Sequence, residues 1–93
     1  MPKLIISDVT HELVDEAITI GRGSDNTIVV NDPSISTHHA QLLLEGDTYR
    51  LKDLDSTNGT EINGRRLKRA KLRPGDTITV GSTELVFRRE SGG

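Results

Sequence analysis

The sequence contains no cysteine and almost no aromatic residues, with one Tyr, one Phe and no Trp. The lack of cysteine excludes a disulfide framework and a thiolate metal site, and it fits a reducing compartment. The scarcity of aromatic rings disfavours base stacking on single-stranded nucleic acid. No apolar run approaches the roughly 18 residues of a membrane span, and the N-terminus lacks the apolar stretch of a signal peptide. The sequence therefore predicts a cytoplasmic protein without membrane association.

The length and composition predict one small folded domain. A chain of 93 residues is too short to form two domains. Its content of Leu, Ile, Val and Phe exceeds the share of about 20% below which disorder is expected. We expect a single domain over residues 1–90, a flexible tail at residues 91–93, and a monomer when the domain is isolated. Modules of this size also occur as parts of larger proteins, and the sequence leaves that alternative open.

The hydrophobic pattern predicts an all-β chain, because no segment shows a helical period over ten or more residues. Turn chemistry predicts a turn at residues 7–10, a type I′ hairpin turn at Asn63-Gly64 and a type II turn at Pro74-Gly75. Strand-like segments are expected at residues 4–6, 12–15, 17–20, 27–30, 40–44, 49–54, 77–80 and 84–88. This density of short strands and turns predicts a β-sandwich of two mainly antiparallel sheets with about ten to eleven strands.

Polar residues recur at loop positions in four short motifs. Arg22 offers a planar fork of donors and a permanent charge, which suit phosphate oxygens. Ser36 offers a hydroxyl group, and the backbone at residues 36–37 offers N–H groups. Several such donors converging from a rigid scaffold can bind a phosphate dianion. The motifs are Gly21-Arg22, Ser36 with His39, Thr57-Asn58-Gly59 and Asn63-Gly64.

In this order and at these spacings, the motifs resemble those of the forkhead-associated (FHA) domain, a phosphothreonine-peptide-binding module. The resemblance covers roughly residues 18–87. It implies a signalling adaptor that binds a phosphothreonine-containing protein or peptide, with no enzymatic activity, cofactor, metal or nucleic-acid partner. The resemblance also assigns phosphopeptide binding to Arg22, Ser36, Thr37, Thr57 and Asn58. It assigns structural support of the site to Gly21, His39, Gly59, Asn63 and Gly64.

One position departs from the family pattern. FHA domains often carry Arg or Lys directly after the Ser, whereas this chain has Thr37. Loss of a charge-assisted hydrogen bond costs roughly 1.5–3 kcal/mol, or about ten- to a hundredfold in affinity. The departure leaves open an FHA-fold scaffold or oligomerisation domain that binds partners independently of phosphate. Selectivity in the family is set largely at the third residue after the phosphothreonine, and loops at residues 34–35 and 81–84 would read it.

The binding residues also have ordinary structural interpretations. Arg22 could pair with Asp25 in a solvated loop. Ser36 could cap a turn, and Asn58 could be a left-handed turn residue without a ligand role. His39 is expected to brace the loops from beneath.

Three other functions fit the sequence less well than phosphopeptide binding does. The basic run at residues 65–73 could contact nucleic acid, although a solvated hairpin face explains it as well. Ser36 with His39 could belong to a hydrolase, but no nucleophile elbow or oriented acid accompanies them. A metal site is not expected from His11, His38 and His39, because adjacent histidines on a strand point to opposite faces.

Overall fold

The structure, a computed structural model, describes residues 2–6 and 8–89. Within these ranges the chain forms eleven β-strands in two sheets and no helix, which confirms the predicted β-sandwich. In the same ranges no helix is long and apolar enough to cross a membrane. The tail expected at residues 91–93 lies outside the described residues. The strands are β1 (Pro2–Ile6), β2 (Val9–Glu12), β3 (Ala17–Gly21), β4 (Ile28–Val29), β5 (Ala40–Glu45), β6 (Thr48–Asp53), β7 (Thr60–Ile62), β8 (Arg65–Arg66), β9 (Arg69–Lys71), β10 (Thr77–Val80) and β11 (Thr83–Arg89).

The two sheets enclose an aliphatic core. The six-stranded sheet has the order β2-β1-β11-β10-β7-β8, and the five-stranded sheet has the order β4-β3-β5-β6-β9. Among the described strands every pair is antiparallel except β3 with β4, where Ile20 lies opposite Ile28. Alternate side chains of each long strand face inward, so Leu51, Ile78 and Phe87 are fully buried. Burial of each such side chain contributes about 1.5–3 kcal/mol.

Two turns form as the sequence predicts. Asn63 and Gly64 have φ angles of 53° and 82°, as the two central residues of a type I′ turn require. Gly75 has a φ angle of 95°, and the Asp76 N–H donates to the Arg73 carbonyl at 3.0 Å. The type II turn at Pro74-Gly75 is thereby confirmed.

Two expectations near the N-terminus were wrong, whereas the strands expected at residues 4–6 and 17–20 are present as β1 and β3. The turn expected over residues 7–10 is replaced from Val9 onward by β2, which pairs with β1 through Ile6 opposite Val9. The strand expected at residues 12–15 does not form, because β2 ends at Glu12. Three of the four β2 residues are exposed, so the sequence carries no buried alternation to mark the strand. Backbone pairing with β1 decides its position instead.

The loops that follow β3, β4, β6 and β10 meet at one end of the sandwich. The Arg22 N–H donates to the Ser36 carbonyl at 3.0 Å, and the Thr57 N–H donates to Ser36 Oγ at 3.0 Å. The Ser82 N–H donates to Asp32 Oδ2 at 2.9 Å. These bonds bring loops from both sheets together, and they place the motifs that contain Arg22, Ser36 and Asn58 in one region.

Candidate functional site

Arg22 directly follows β3, and its side chain has no partner among the described residues. The backbone of its loop is fixed, because the Arg22 and Gly23 N–H groups donate to the carbonyls of Ser36 and Thr37 at 3.0 and 3.1 Å. A Cβ atom at Gly21 would overlap the Thr37 carbonyl oxygen, so this close approach requires glycine. The Arg22 side chain itself is exposed, and within the described residues its guanidinium forms no hydrogen bond or ion pair. All of its donors are therefore available to a ligand.

The Ser36 hydroxyl is oriented by the loop that follows β6. Its oxygen accepts the Thr57 N–H at 3.0 Å. The contact from Ser36 Oγ to Thr57 Oγ1 is 3.5 Å, which is longer than the usual O–H···O range of about 2.5–3.0 Å. The hydroxyl proton of Ser36 thus stays available to an anion. The Thr57 hydroxyl lies beside it, and its only contact among the described residues is this long one with Ser36.

His39 is fully buried beneath these loops. Its Nδ1 atom accepts the Ser36 N–H at 3.2 Å, so the proton lies on Nε2, which donates to the Gly59 carbonyl at 2.8 Å. The ring therefore links the Ser36 loop to the Gly59 loop. These contacts also use the Ser36 N–H, and of the two backbone donors expected at residues 36–37 only that of Thr37 has no partner in the described part of the chain.

Asn58 links two loops through its side-chain amide. Asn58 Nδ2 donates to the Ser34 carbonyl at 2.7 Å, and this leaves the amide oxygen free to accept a peptide N–H. Ser34 is in turn held by Asp32, whose carboxylate accepts the Ser34 hydroxyl at 2.6 Å and the Ser34 N–H at 2.9 Å. The same carboxylate accepts the Ser82 N–H and the Thr83 hydroxyl at 2.9 and 2.8 Å. These bonds, above all that from the Ser34 hydroxyl, lower the pKa of Asp32.

An open cavity of about 360 Å³ lies between the loops. Its size falls at the lower end of the range for small-molecule sites. All five residues expected to bind a phosphopeptide line it, together with three residues of the loop that follows β4. The lining residues are Arg22, Pro33, Ser34, Ile35, Ser36, Thr37, Thr57 and Asn58.

The structure does not bring Asn63 and Gly64 to this cavity. The pairing of β7 with β10 places Thr60 opposite Val80 and Ile62 opposite Ile78, so the hairpin turn lies at the other end of the sandwich. There the Asn63 side-chain amide donates to the Asp76 carboxylate, and its oxygen accepts the Thr77 N–H. Among the described residues, no hydrogen bond links Asn63 or Gly64 to a residue that lines the cavity. The structure therefore does not show the support of the site that was expected of them.

The pairing of Arg22 with Asp25, left open by the sequence, is not formed. Asp25 Oδ2 lies 2.7 Å from His38 Nε2 instead, and this hydrogen bond lowers the pKa of the Asp25 carboxyl. His38 is exposed while His39 is buried. Among residues 2–6 and 8–89, no group of three or more His, Asp or Glu side chains could hold a metal ion.

The part that three residues play in organising the loops was not predicted from the sequence. Asn26 is buried, and its amide donates to the carbonyls of Gly23 and Thr37, both at 2.7 Å. Asp32 and Ser34 fix the loop that carries Ser36. The pair Asp32-Pro33 before Ser34 is a recognisable turn signal, and it could have indicated the role of Asp32. Nothing in the local sequence marks Asn26.

Comparison with known proteins identifies the family of the chain. A sequence profile described as the FHA domain matches residues 18–81. Over 79 residues the chain is 42% identical to the ABC transporter ATP-binding/permease protein Rv1747 of Mycobacterium tuberculosis. That alignment covers 85% of this chain and 9% of the relative, so the chain spans less than a tenth of the relative's length. The chain belongs to the FHA domain family.

Solved structures of FHA domains have the same architecture. One comes from work on phosphothreonine-dependent FHA domain interactions; it has a TM-score of 0.91, is 32% identical, and covers 96% of each chain. Another is EmbR of Mycobacterium tuberculosis in complex with a low-affinity phosphopeptide, with a TM-score of 0.92 and 32% identity. That match covers 99% of this chain and 25% of EmbR.

Proposed function

We propose that this FHA domain is a phosphorylation-dependent interaction module that binds phosphothreonine-containing segments of partner proteins. The observation that carries the proposal is the pairing of Arg22 and Ser36 at one cavity. No described residue satisfies the side-chain donors of Arg22, and the Ser36 hydroxyl donates only across the long contact of 3.5 Å to Thr57. The backbone of both residues is held by hydrogen bonds. Relatives solved in phosphothreonine-dependent interactions and with a phosphopeptide support the same chemistry.

In this proposal each residue has a distinct part. A phosphothreonine carries a charge of about −1.5 to −2 and three acceptor oxygens. Arg22 supplies the positive charge, and the hydroxyls of Ser36 and Thr57 supply short neutral donors. Thr37 adds a backbone N–H and a hydroxyl where many FHA domains have a cation. Asn58 holds the backbone of the bound segment through its free amide oxygen.

The proposed role is that of a non-catalytic adaptor. Recognition needs only preformed donors and a ligand that another protein has phosphorylated. Because protein kinases consume ATP, which cells hold inside, the proposed location is the cytoplasm. The proposed domain spans residues 1–90.

Arg22→Ala tests the proposal. We expect the variant to bind a phosphothreonine peptide about ten- to a hundredfold more weakly, because a charge-assisted hydrogen bond of roughly 1.5–3 kcal/mol is lost. The midpoint of thermal unfolding should stay unchanged, since the guanidinium has no described partner. Arg88→Ala removes another exposed arginine, on β11, and serves as the control that should retain wild-type affinity. Affinity is measured by isothermal titration calorimetry with the phosphorylated and the unphosphorylated peptide.

The same titration decides between the two roles that the Thr37 departure leaves open. Equal affinity for the phosphorylated and unphosphorylated forms of a partner segment would show that the fold serves as a scaffold or oligomerisation domain. A preference of tenfold or more for the phosphorylated form, lost in Arg22→Ala, would establish the phosphate-dependent role.

A further inference from the structure

Beside the candidate phosphate site, we infer a second anion-binding surface that takes an acidic segment of the same phosphothreonine polypeptide. We call it the basic groove, and it is defined by Lys52, Arg66, Lys68 and Arg69. The inference rests on the proposed function and extends it, because it names a chemical class for residues outside the phosphothreonine. Four steps lead to it: continuity with the site, the placement of one guanidinium, an uncompensated pair of like charges, and the net charge of the groove.

The basic groove is continuous with the loop that carries Asn58. Two open cavities of about 190 and 440 Å³ lie along it. The first is lined by Gly59, which follows Asn58 directly, and by Arg66 and Lys68. The second shares Lys68 with the first and continues to the five-stranded sheet. A polypeptide held at Asn58 can therefore pass into the groove without leaving the surface.

Arg66 holds its guanidinium at the junction between the site and the groove. A Cβ atom at Gly59 would lie 2.8 Å from Arg66 Cζ, so the guanidinium covers the backbone of the Asn58-Gly59 loop. Glu61 is the direct cross-strand neighbour of Arg66. Nevertheless no ion pair joins Arg66 to a carboxylate in the described ranges. The charge is thus directed toward the binding loops and is left without an internal partner.

Lys52 and Arg69 lie directly opposite each other on β6 and β9. Like charges in this position destabilise a sheet. In the part of the chain that the structure describes, neither side chain has an ion-pair partner. The next cross-strand pair on the same face shows the contrast: Arg50, opposite Lys71, is paired with Glu45 of its own hairpin at 2.7 Å. The repulsion between Lys52 and Arg69 would be relieved by an anion bound across them.

Two carboxylates also line the groove, and they reduce its positive charge without cancelling it. Asp53 accepts the hydroxyls of Ser56 and Thr60 at 2.5 and 2.7 Å and the Ser56 N–H at 3.1 Å. Burial acts to raise the pKa of Asp53, but these bonds outweigh it and lower the pKa. Asp55 is exposed. With four cations against two carboxylates, the groove keeps a positive balance.

An acidic polypeptide fits these observations better than nucleic acid does. The two aromatic side chains, Tyr49 and Phe87, are buried, so no ring is offered for base stacking. The continuity with Asn58 instead links the groove to a peptide already bound at the phosphate site.

Three matched phosphothreonine peptides test the inference: one with alanine flanks, one with aspartates before the phosphothreonine and one with aspartates after it. At low salt, we expect one acidic peptide to bind about three- to tenfold more tightly than the alanine peptide, because each exposed charge pair contributes modestly. In the Lys68→Gln/Arg69→Gln double variant this preference should fall below about twofold. Arg88→Gln, which removes an exposed charge outside the groove, should retain it.

The possible outcomes separate the inference from the function on which it rests. Absence of phosphate-dependent binding for all three peptides contradicts the proposed function. Phosphate-dependent binding with equal affinity for acidic and alanine flanks contradicts the basic groove alone. A short DNA duplex is titrated in parallel. If the duplex binds, and the double variant abolishes that binding, while acidic flanks give no preference, the groove is a nucleic-acid surface and the inference is overturned.

Discussion

The chain contains the dipeptide Asn-Gly twice, with three residues between the two copies, and the copies have different roles. Asn63-Gly64 forms the tight turn between β7 and β8, and both residues have positive φ angles, 53° and 82°. In Asn58-Gly59 only the glycine has a positive φ, 80°. The first pair reverses the chain direction, whereas the second connects the binding loops.

The surroundings of the two glycines explain the difference. A Cβ atom at Gly64 would meet nothing within 4 Å. At Gly59 it would meet the Arg66 guanidinium, and the Gly59 carbonyl accepts the Nε2 proton of His39 at 2.8 Å. The dipeptide thus specifies a local backbone shape, and tertiary packing decides whether that shape serves a turn or a site.

Alanine at each glycine should give the largest measurable difference between the two dipeptides. Gly64→Ala should lower the free energy of unfolding by about 1–2 kcal/mol, because the left-handed conformation is strained for a side chain. Gly59→Ala should lower it by about 2–3 kcal/mol, because the bond to His39 is weakened as well. Urea denaturation measures both. Equal losses would mean that the His39 bond contributes nothing to stability.

Alanine at each asparagine should give a smaller and more selective effect. Asn58→Ala should weaken binding of a phosphothreonine peptide by about fivefold, because one hydrogen bond to the peptide of about 1 kcal/mol is lost. Asn63→Ala should leave that affinity unchanged, since its partners Asp76 and Thr77 lie at the opposite end. Calorimetric titration of both variants with one peptide checks this. A matching loss of affinity in Asn63→Ala would place the hairpin turn within the binding machinery.

The smallest effect concerns the loop beneath Asn58, which Asp32 holds. A carboxyl with a lowered folded-state pKa contributes stability above its ordinary value of 3.8 and loses it as the pH falls through the folded-state pKa. At neutral pH the wild type should therefore unfold at a higher temperature than Asp32→Asn. The gap should narrow as the pH drops below the ordinary carboxyl value. A gap that stays constant from neutral to acidic pH would show that the charge of Asp32 is not what holds the loop.

The parts of the fold that local chemistry dictates could be predicted from the sequence. The turns at Asn63-Gly64 and Pro74-Gly75 follow from the backbone preferences of their residues, and the inward face of β10 follows from its alternation. β2 could not be predicted in this way. Asp8 adopts a φ angle of 68°, and the exposed strand that follows gains its stability from pairing with β1 rather than from its own pattern.

The site was predictable in composition but not in arrangement. The motif spacing placed Arg22 and Ser36 together, and the structure brings both to one cavity. Register across β7 and β10 was needed to show that Asn63 lies at the far end. Arg66 contacts Gly59 because of the rotamer that its side chain adopts. That rotamer cannot be read from the sequence. For the same reason, the sequence did not show that Asp25 pairs with His38 rather than with Arg22.

The contacts of the His39 ring also mean that the candidate binding surface forms only when both sheets have assembled. His39 precedes β5 of the five-stranded sheet, yet it holds the carbonyl of Gly59, which leads into β7 of the six-stranded sheet. Asp32 spans the same seam through its bond to the hydroxyl of Thr83. A chain in which only one sheet has formed therefore presents neither the Ser36 hydroxyl nor the Asn58 amide in position. Under the proposed function, an incompletely folded copy would therefore not compete with folded molecules for the phosphorylated ligand.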